Sequence, residues 1–553
     1  MTRYAQHVAP KLTPQSEPVD PRQVENNAGG FTFTLDCWKR LDRFLILGAE
    51  GGTYYVGERK LTQDNAKVVQ ECLAADGLRT VARIVEVSVT GKAPKNDPAI
   101  FALALAASHP NAQTRARALA ALPEVCRIGT HLFQFCESVN ALRGWGRGLR
   151  RALARWYTEK TADAAAFQAV KYQQRNGWSH KDVLRLCHAE AAGSLGHEAL
   201  FRWITTRSPV ERSVKRRQAD KSVTLSSYRN IDPGTVPALL GGYEYLLKAE
   251  KVSDVVDLIH TYGLTHEMIP TQHKNSPAVW SELLQEMPLG AMVRNLGKMT
   301  SIGVLAQLSE GSAKVQAALS DRDAIRKARL HPIALLSALR VYAQGHGEKG
   351  SLKWNPDPRV IDALNEAFYL AFETIVPTNR PTLLALDVSG SMGSGNINGI
   401  PGLTPRDVTA AMAMATTRVE PSYAIFGFSN RFMELKISPK QRLDDVVKVI
   451  GNLPFEATDC SLPMLYASKQ KLGIDAFVVY TDNETWVGPV HPHIALKEYR
   501  QKSGRNSKLV VCGTTSTEFT IAEPTDSGML DVVGFSADCP AVIADFTREG
   551  GER

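Results

Sequence analysis

None of the eight cysteines in this 553-residue sequence belongs to a CxxC pair. Cys37, Cys72, Cys126, Cys136, Cys187, Cys460, Cys512 and Cys539 are scattered along the chain. This spacing excludes zinc-finger modules and small disulfide frameworks, which need clustered or regularly paired cysteines. Long apolar runs are also missing, since no stretch approaches the roughly 20 residues that span a bilayer as a helix. The opening MTRYAQHVAPKLTPQSEPVDPRQ lacks the basic-then-apolar order of a secretory leader, so residues 1–20 read as a flexible polar arm. The expected location is a reducing, soluble compartment: the cytoplasm and, in a eukaryote, the nucleus as well, with no membrane partner.

The length exceeds that at which one hydrophobic core keeps growing, so two or more domains are expected. A hydrophobic content of 44% and a charged content of 22% are ordinary globular proportions and exclude collagen-like and disordered classes. Charge is unevenly spread. The first 375 residues carry 48 Lys and Arg against 37 Asp and Glu, about +11, whereas the remainder carries 17 against 20, about −3. Such asymmetry fits one module that meets a polyanion and another with a different task, although basic residues that merely solvate helix surfaces give the same count.

From about residue 60 to 345 the chain reads as successive short helices, such as NAKVVQECLAAD, AIFALALAASH, TRARALAALPEV, SDVVDLIHTYG and PAVWSELLQEM, separated by Gly, Pro or Asp-Asn breaks. No strand alternation intervenes. Stacked helix pairs of HEAT-like type explain so long a helical stretch better than one globule does, because each pair buries a face against its neighbours. After the joint VPTNR the pattern changes: RPTLLALDVSGS, YAIFGFS, DAFVVYTDNE and KLVVCGTT are strand-like and alternate with helical segments. That alternation predicts a doubly wound α/β, Rossmann-like sheet. The expected organisation is an arm over 1–20, an all-α helical-repeat domain over 21–375 and an α/β domain over 376–553.

In such sheets ligands bind beyond the carboxyl ends of the strands. The first strand of the α/β domain ends in Asp387-Val388-Ser389-Gly390-Ser391, which places a carboxylate and two hydroxyls in one loop. Thr458 and Asp459 in EATDC and Asp482 in YTDNE add oxygens at later strand ends. Oxygen donors of this kind suit a hard divalent ion, Mg²⁺ before others. A DxSxS loop alone is commonly only a cap or turn. Combined with the separate Thr-Asp and the strand-closing Asp, it resembles the metal-ion-dependent adhesion site of von Willebrand factor A domains. That resemblance implies Asp387, Ser389, Ser391, Thr458 and Asp482 as the ligand set, a carboxylate-bearing partner at the open metal position, and recognition instead of catalysis. Asp459 is expected to cap the following helix. His491 and His493, beside a proline at a helix start, read as capping or surface residues outside the site.

The densest basic and aromatic interleaving is LRGWGRGLRRALARWYTEK followed by VKYQQRNGWSHKDVLRLCHAE. Lys and Arg can neutralise phosphates, and aromatic rings can stack on unpaired bases. Arg147, Arg150, Arg151 and Arg155 share a helix face by their spacing. A solvated face with Trp145 and Trp156 in the core explains the same pattern and is, on these residues alone, the simpler reading.

RQVENNAGGFTF, RFLILGAEGGTYYVGE, KYQQRNGWSHKDVLRL, MPLGAMVRNLGKMTSIG, HPIALLSALRVYAQGHG and YTDNETWVG closely resemble segments of the Ro autoantigen family, in the same order and at similar spacing. The resemblance runs from about residue 20 through both the TROVE module and the A-like domain. It implies a ring of HEAT-like repeats closed by the A-like domain. It also implies Y-type small structured RNA on the outer surface and single-stranded 3′ ends of misfolded RNAs in the hole. Lys171, Arg175 and His188 become the Y RNA contacts. Arg143 and Arg147, and the cluster Arg326, Lys327 and Arg329, are further candidates on charge alone. A role in small-RNA stability and RNA quality control follows, with an exonuclease or other protein as a further partner and no enzymatic activity.

Other readings stay open. A metal-dependent protein-adhesion scaffold would use the same metal site without RNA. A metal-dependent nuclease would need a second metal and a general base, and the sequence nominates neither. The basic segment 211–230 fits an RNA-ordering loop and a disordered insertion equally well.

Overall fold

A computed structural model describes residues 12–48, 66–191, 193–206, 236–347, 350–372, 376–393, 397, 403–453, 456–536 and 538–548. The basic segment 211–230 and most of the glycine-rich stretch 394–402 lie outside these residues.

Between Cys37 and Leu370 the chain is cut into short helices by the caps that its sequence supplies. Asn111 accepts hydrogen bonds from the Gln113 and Thr114 amides at the start of Ala112–Ala120. Ser179 and Asp182 form a reciprocal capping box on His180–Cys187. Gly91 and Gly263 end their helices in the left-handed conformation that glycine adopts at no steric cost. Helices this short are marginal alone and depend on burying an apolar face. Trp156, Trp203, Phe133, Phe135, Tyr342 and Phe368 are almost fully buried between them.

Each helix packs on its neighbours in succession. Lys67–Thr90 packs on Asp97–Ser108, which packs on Gly129–Leu142, and the series continues through Arg147–Thr158, Ala162–Lys171 and Ala238–Leu246 to Leu289–Ser301, Pro332–Ala343 and Pro358–Leu370. The succession returns to its start. His331, which caps Pro332–Ala343, donates from Nε2 to the carbonyl of Lys92, 3.0 Å away, and Arg329 packs beside Gly91. The helical layer is therefore a closed ring. Lys92 also pairs through Nζ with Asp538 at 3.0 Å, which fastens the seam to the C-terminal domain.

Among the described residues, a short hairpin of β1 (Gln23–Glu25) and β2 (Phe31–Thr34) precedes the helices, and one of β3 (Gln174–Arg175) and β4 (Trp178–Ser179) interrupts them. The C-terminal domain is a six-stranded sheet of β5 (Thr382–Asp387), β6 (Tyr423–Phe428), β7 (Phe432–Glu434), β8 (Ala476–Thr481), β9 (Lys508–Gly513) and β11 (Met529–Val533), in the order β11-β9-β8-β5-β6-β7. All pairings are parallel except that of the edge strand β7. β5 and β8 read TLLALD and AFVVYT and are fully buried, as strands covered on both faces should be. Because β6 lies on one side of β5 and β8 on the other, the switch point of the sheet falls at the end of β5.

Residues 12–20 were expected to be a free arm, but the structure holds them against the C-terminal domain. Gln15 is fully buried there, and β2 continues into a third strand, β10 (Phe519–Thr520), by antiparallel pairing. Arg43, on the helix Cys37–Leu47, reaches Asp531 of β11 at 2.7 Å, with both side chains almost fully buried. Polar composition suggested mobility; the buried amide and carbonyl partners on the other domain override it. His491 and His493 are not surface residues either. The His491 ring lies between Gln23 Nε2 (3.1 Å) and the Glu17 carbonyl (2.9 Å), and His493 packs edge-on against Phe33 with ring centroids 4.9 Å apart.

Among the described residues no helix is long and apolar enough to cross a membrane. All eight cysteines are free, and seven of them are buried.

Candidate metal centre and nucleic-acid face

The loops that follow β5, β6 and β8 meet at one end of the sheet. Asp387 closes β5 and is fully buried. Its Oδ1 accepts the Ser389 amide at 2.9 Å and its Oδ2 accepts the Thr481 hydroxyl at 2.7 Å. The Ser389 and Ser391 hydroxyls lie 3.0 Å apart, and Ser391 is close enough to Asp482 to favour its charged form. Asp482 is also fully buried; Oδ1 accepts the Glu484 amide at 3.1 Å, while Oδ2 has no hydrogen-bond partner. Thr458 is almost fully buried, and its carbonyl accepts the Trp486 amide at 3.1 Å, which ties it to the loop after Asp482 and not directly to the carboxylates. Asp459 accepts the Ser461 amide and hydroxyl in the turn before Leu462–Lys469.

Burial and the neighbouring Asp482 push the Asp387 carboxyl up to about 7, and burial raises Asp482 as well. Two carboxylates out of water disfavour each other's charge unless a cation lies between them. The donor set fits a hard divalent ion: two hydroxyls and two buried carboxylates, one of which keeps an oxygen without a partner. Among the described residues no group of three or more His, Cys, Asp and Glu side chains could hold a metal, so the hydroxyls are essential to any such site. Bound there, a divalent ion would supply positive charge and an open position for an oxygen ligand.

Sequence reasoning missed three groups. Thr481 adjoins Asp482, so its nearness to Asp387 could have been inferred. Arg406 donates to the Ser389 carbonyl at 2.8 Å from a helix whose start, Thr404-Pro405, signals only a cap. Glu484 is fully buried and pushed up to about 8 by burial and by Asp482, with no local signal beyond its position.

The basic candidates lie on the helical ring. Arg175 stands exposed on β3, beside a two-residue turn in which Asn176 and Gly177 both have positive φ (51° and 76°), as a tight hairpin requires. His188 is exposed at the left-handed cap of His180–Cys187. Lys171 is not free: its Nζ lies 3.4 Å from Glu267 Oε1, and only 9% of its side chain is exposed. Arg143 and Arg147 are exposed on either side of Trp145. Trp145 stacks on Trp178 of β4 with ring centroids 5.6 Å apart, so the loop bearing Arg143 and Arg147 is fastened to the hairpin bearing Arg175. Arg147, Arg150, Arg151 and Arg155 line the exposed face of Arg147–Thr158, while Leu149, Leu153 and Trp156 fill the core. Trp156 donates to the Cys126 carbonyl and is not available to a base. Arg326, Lys327 and Arg329 are exposed elsewhere, at the ring seam.

Two family models divide the chain between them: the TROVE domain matches residues 24–380 and the Ro60 vWA domain residues 381–547. The chain belongs to the Ro60 family. It is 41% identical to the RNA-binding protein RO60 of Deinococcus radiodurans, over 99% of both chains. It is 34% identical to the RNA-binding protein RO60 of Caenorhabditis elegans, over 96% of this chain and 91% of that one. The crystal structure of the Deinococcus radiodurans RO (RSR) protein superposes with a TM-score of 0.67 at 40% identity, covering 93% of this chain and 99% of the other. The family's architecture of a helical region followed by a vWA domain is thus the one built here from caps, apolar faces and strand order.

Proposed function

We propose that this protein is a noncatalytic RNA-binding component of a small ribonucleoprotein particle. Its ligand on the outer face of the ring is a Y-type small structured RNA, contacted by Arg175, His188 and Lys171 and by Arg143 and Arg147. The hole takes the single-stranded 3′ ends of misfolded RNAs, and the protein acts in small-RNA stability and RNA quality control in the cytoplasm. In the C-terminal domain Asp387, Ser389, Ser391, Thr458 and Asp482 hold Mg²⁺, whose open position receives a carboxylate from a protein partner such as an exonuclease.

The observation that supports this reading best is the Trp145–Trp178 stack. It makes one rigid surface of two basic elements that are separate in sequence, which is what recognition of a folded RNA by shape and phosphate position needs. The names of the relatives point the same way. The test is recovery of the protein from its own cells under gentle conditions and sequencing of the RNA that accompanies it, beside a Lys171→Ala, Arg175→Ala, His188→Ala triple variant. Enrichment of one small structured RNA that disappears in the variant is expected. No RNA above background would favour the adhesion-scaffold reading, for which the paired buried carboxylates of Asp387 and Asp482 are the supporting feature. In that case chelation of divalent ions would abolish partner capture.

A further inference from the structure

Residues 15–30 lie across the loop that begins with Asp482. Asn27 Nδ2 donates to Glu484 Oε1 at 2.7 Å, and the Ala28 amide donates to Glu484 Oε2 at 3.2 Å. Asn26 Nδ2 donates to the carbonyls of Asn483 (3.2 Å) and Thr485 (2.9 Å). Gln15 Nε2 bridges Asp459 Oδ1 and the Val490 carbonyl, both at 2.8 Å, and its Oε1 accepts the Thr485 hydroxyl. The fit leaves no slack. A Cβ at Gly30 would stand 1.9 Å from the Thr485 carbonyl oxygen, and one at Gly488 would stand 2.1 Å from Gln15 Nε2.

We propose that Gln15, Asn26 and Asn27 are positioning residues of the metal site, so that a segment far away in sequence sets its affinity. The inference rests on the metal reading above. Asp482 offers a buried oxygen with no partner of its own, and a loop free to turn would carry that oxygen to water. The strap prevents the turn by bonding three consecutive residues, Asn483, Glu484 and Thr485, immediately after Asp482. It holds Asp459, next to Thr458, in the same way. It also engages both oxygens of Glu484, which leaves the Glu484 amide to orient Asp482 and keeps the Glu484 carboxyl from competing for the ion. Groups that orient metal ligands in this way typically change affinity by about 10–100-fold when removed.

The experiment uses the full chain and Mn²⁺ as the probe, followed by electron paramagnetic resonance titration, with thermal unfolding in chelator to verify that each variant folds. Asp482→Asn tests the metal reading, and Gln15→Ala and Asn27→Ala test the strap. Arg22→Ala is the control, because Arg22 lies in the same segment but bonds Asp20 and Glu523. Expected are loss of Mn²⁺ binding in Asp482→Asn, about 10–100-fold weaker binding with an altered Mn²⁺ spectrum in Gln15→Ala and Asn27→Ala, and wild-type binding in Arg22→Ala. If the wild type binds no Mn²⁺, the metal reading falls and this inference with it. If Asp482→Asn loses the ion while both strap variants bind as the wild type does, the strap inference alone is overturned. An equal loss in Arg22→Ala would trace the effect to docking of the segment as a whole and would overturn the assignment to these residues.

Discussion

His331 and Lys92, 239 residues apart, close the helical ring through one hydrogen bond of 3.0 Å from imidazole Nε2 to a backbone carbonyl. The other ring nitrogen, Nδ1, accepts the Ile333 amide at 3.2 Å. The two bonds fix the neutral tautomer, since Nε2 must carry the proton and Nδ1 must not.

Burial of this imidazole, whose Nδ1 must stay unprotonated to accept the Ile333 amide, makes the seam sensitive to acid. Burial lowers the His331 pKa from its ordinary 6.5 to about 4, outweighing the bond to Lys92 and the charge of Asp538. The unfolded chain therefore binds this proton before the folded one does. The stabilisation is complete above about pH 6.5 and is lost as pH falls towards 4, amounting to about 2 kcal/mol between pH 7.5 and 5. Hydrogen-exchange protection factors of residues 88–95 and 330–343, corrected for the slower intrinsic exchange at low pH, should fall over that range. A His331→Gln variant should be less stable at pH 7.5 and lose less on acidification. An unchanged pH slope in the variant would refute the assignment.

The Arg43–Asp531 pair is almost fully buried, and Arg43 also donates to the carbonyls of Thr517 and Phe519 at 3.0 Å. Removing one partner leaves the other charge buried without compensation. Asp531→Ala should cost about 3–5 kcal/mol in chemical denaturation, with less lost when both residues become apolar together. A loss below about 1 kcal/mol, the value of an exposed pair, would show that the joint between the helix Cys37–Leu47 and β11 is wet.

RNA binding should weaken steeply with salt, because each neutralised phosphate releases counterions. The Arg143→Ala, Arg147→Ala double variant should flatten the dependence of log affinity on log salt by about 1–2. Trp178→Ala, which removes no charge, should reduce affinity while leaving that slope nearly unchanged, since the stack only fastens the two basic elements together. Filter binding across a salt series separates the two effects.

Lys171 is a special case because Glu267 already neutralises it. Lys171→Ala leaves Glu267 facing the RNA with the His266 ring, 3.0 Å away, beside it and the lysine cation gone, so it should weaken binding more than the Lys171→Ala, Glu267→Ala double variant. Equal losses would show that Glu267 faces away from the RNA.

The α/β domain was legible because its signals are consecutive. Apolar runs of six residues end in Asp387 and Asp482, and the donors of the first loop stand two residues apart. Helix limits were legible from Asn111, Ser179 and Gly263 for the same reason. Contacts between distant positions were not. Nothing near Gln15 announces Asp459, nothing near Lys171 announces Glu267, and the polar opening that reads as a free arm is held by partners more than 440 residues away. Ring closure belongs to the same class, since His331-Pro332 signals a helix cap and is silent about Lys92. The misplacement of His491 and His493 has the same origin: a histidine beside a helix-start proline reads as exposed until the segment that covers it is known.

Residues 15–34 are synthesised long before Asn483, Val490 and Phe519, the positions they bond to. While the chain grows, the helical segments can pack on one another in order, yet the strap has nothing to lie against until the last strands of the sheet emerge. Completion of the fold is thus a head-to-tail event. A chain cut short before Phe519 would expose the edge of β2 and, with Asp531 also missing, leave Arg43 without its counter-ion, marking the unfinished protein as unfinished over its whole length.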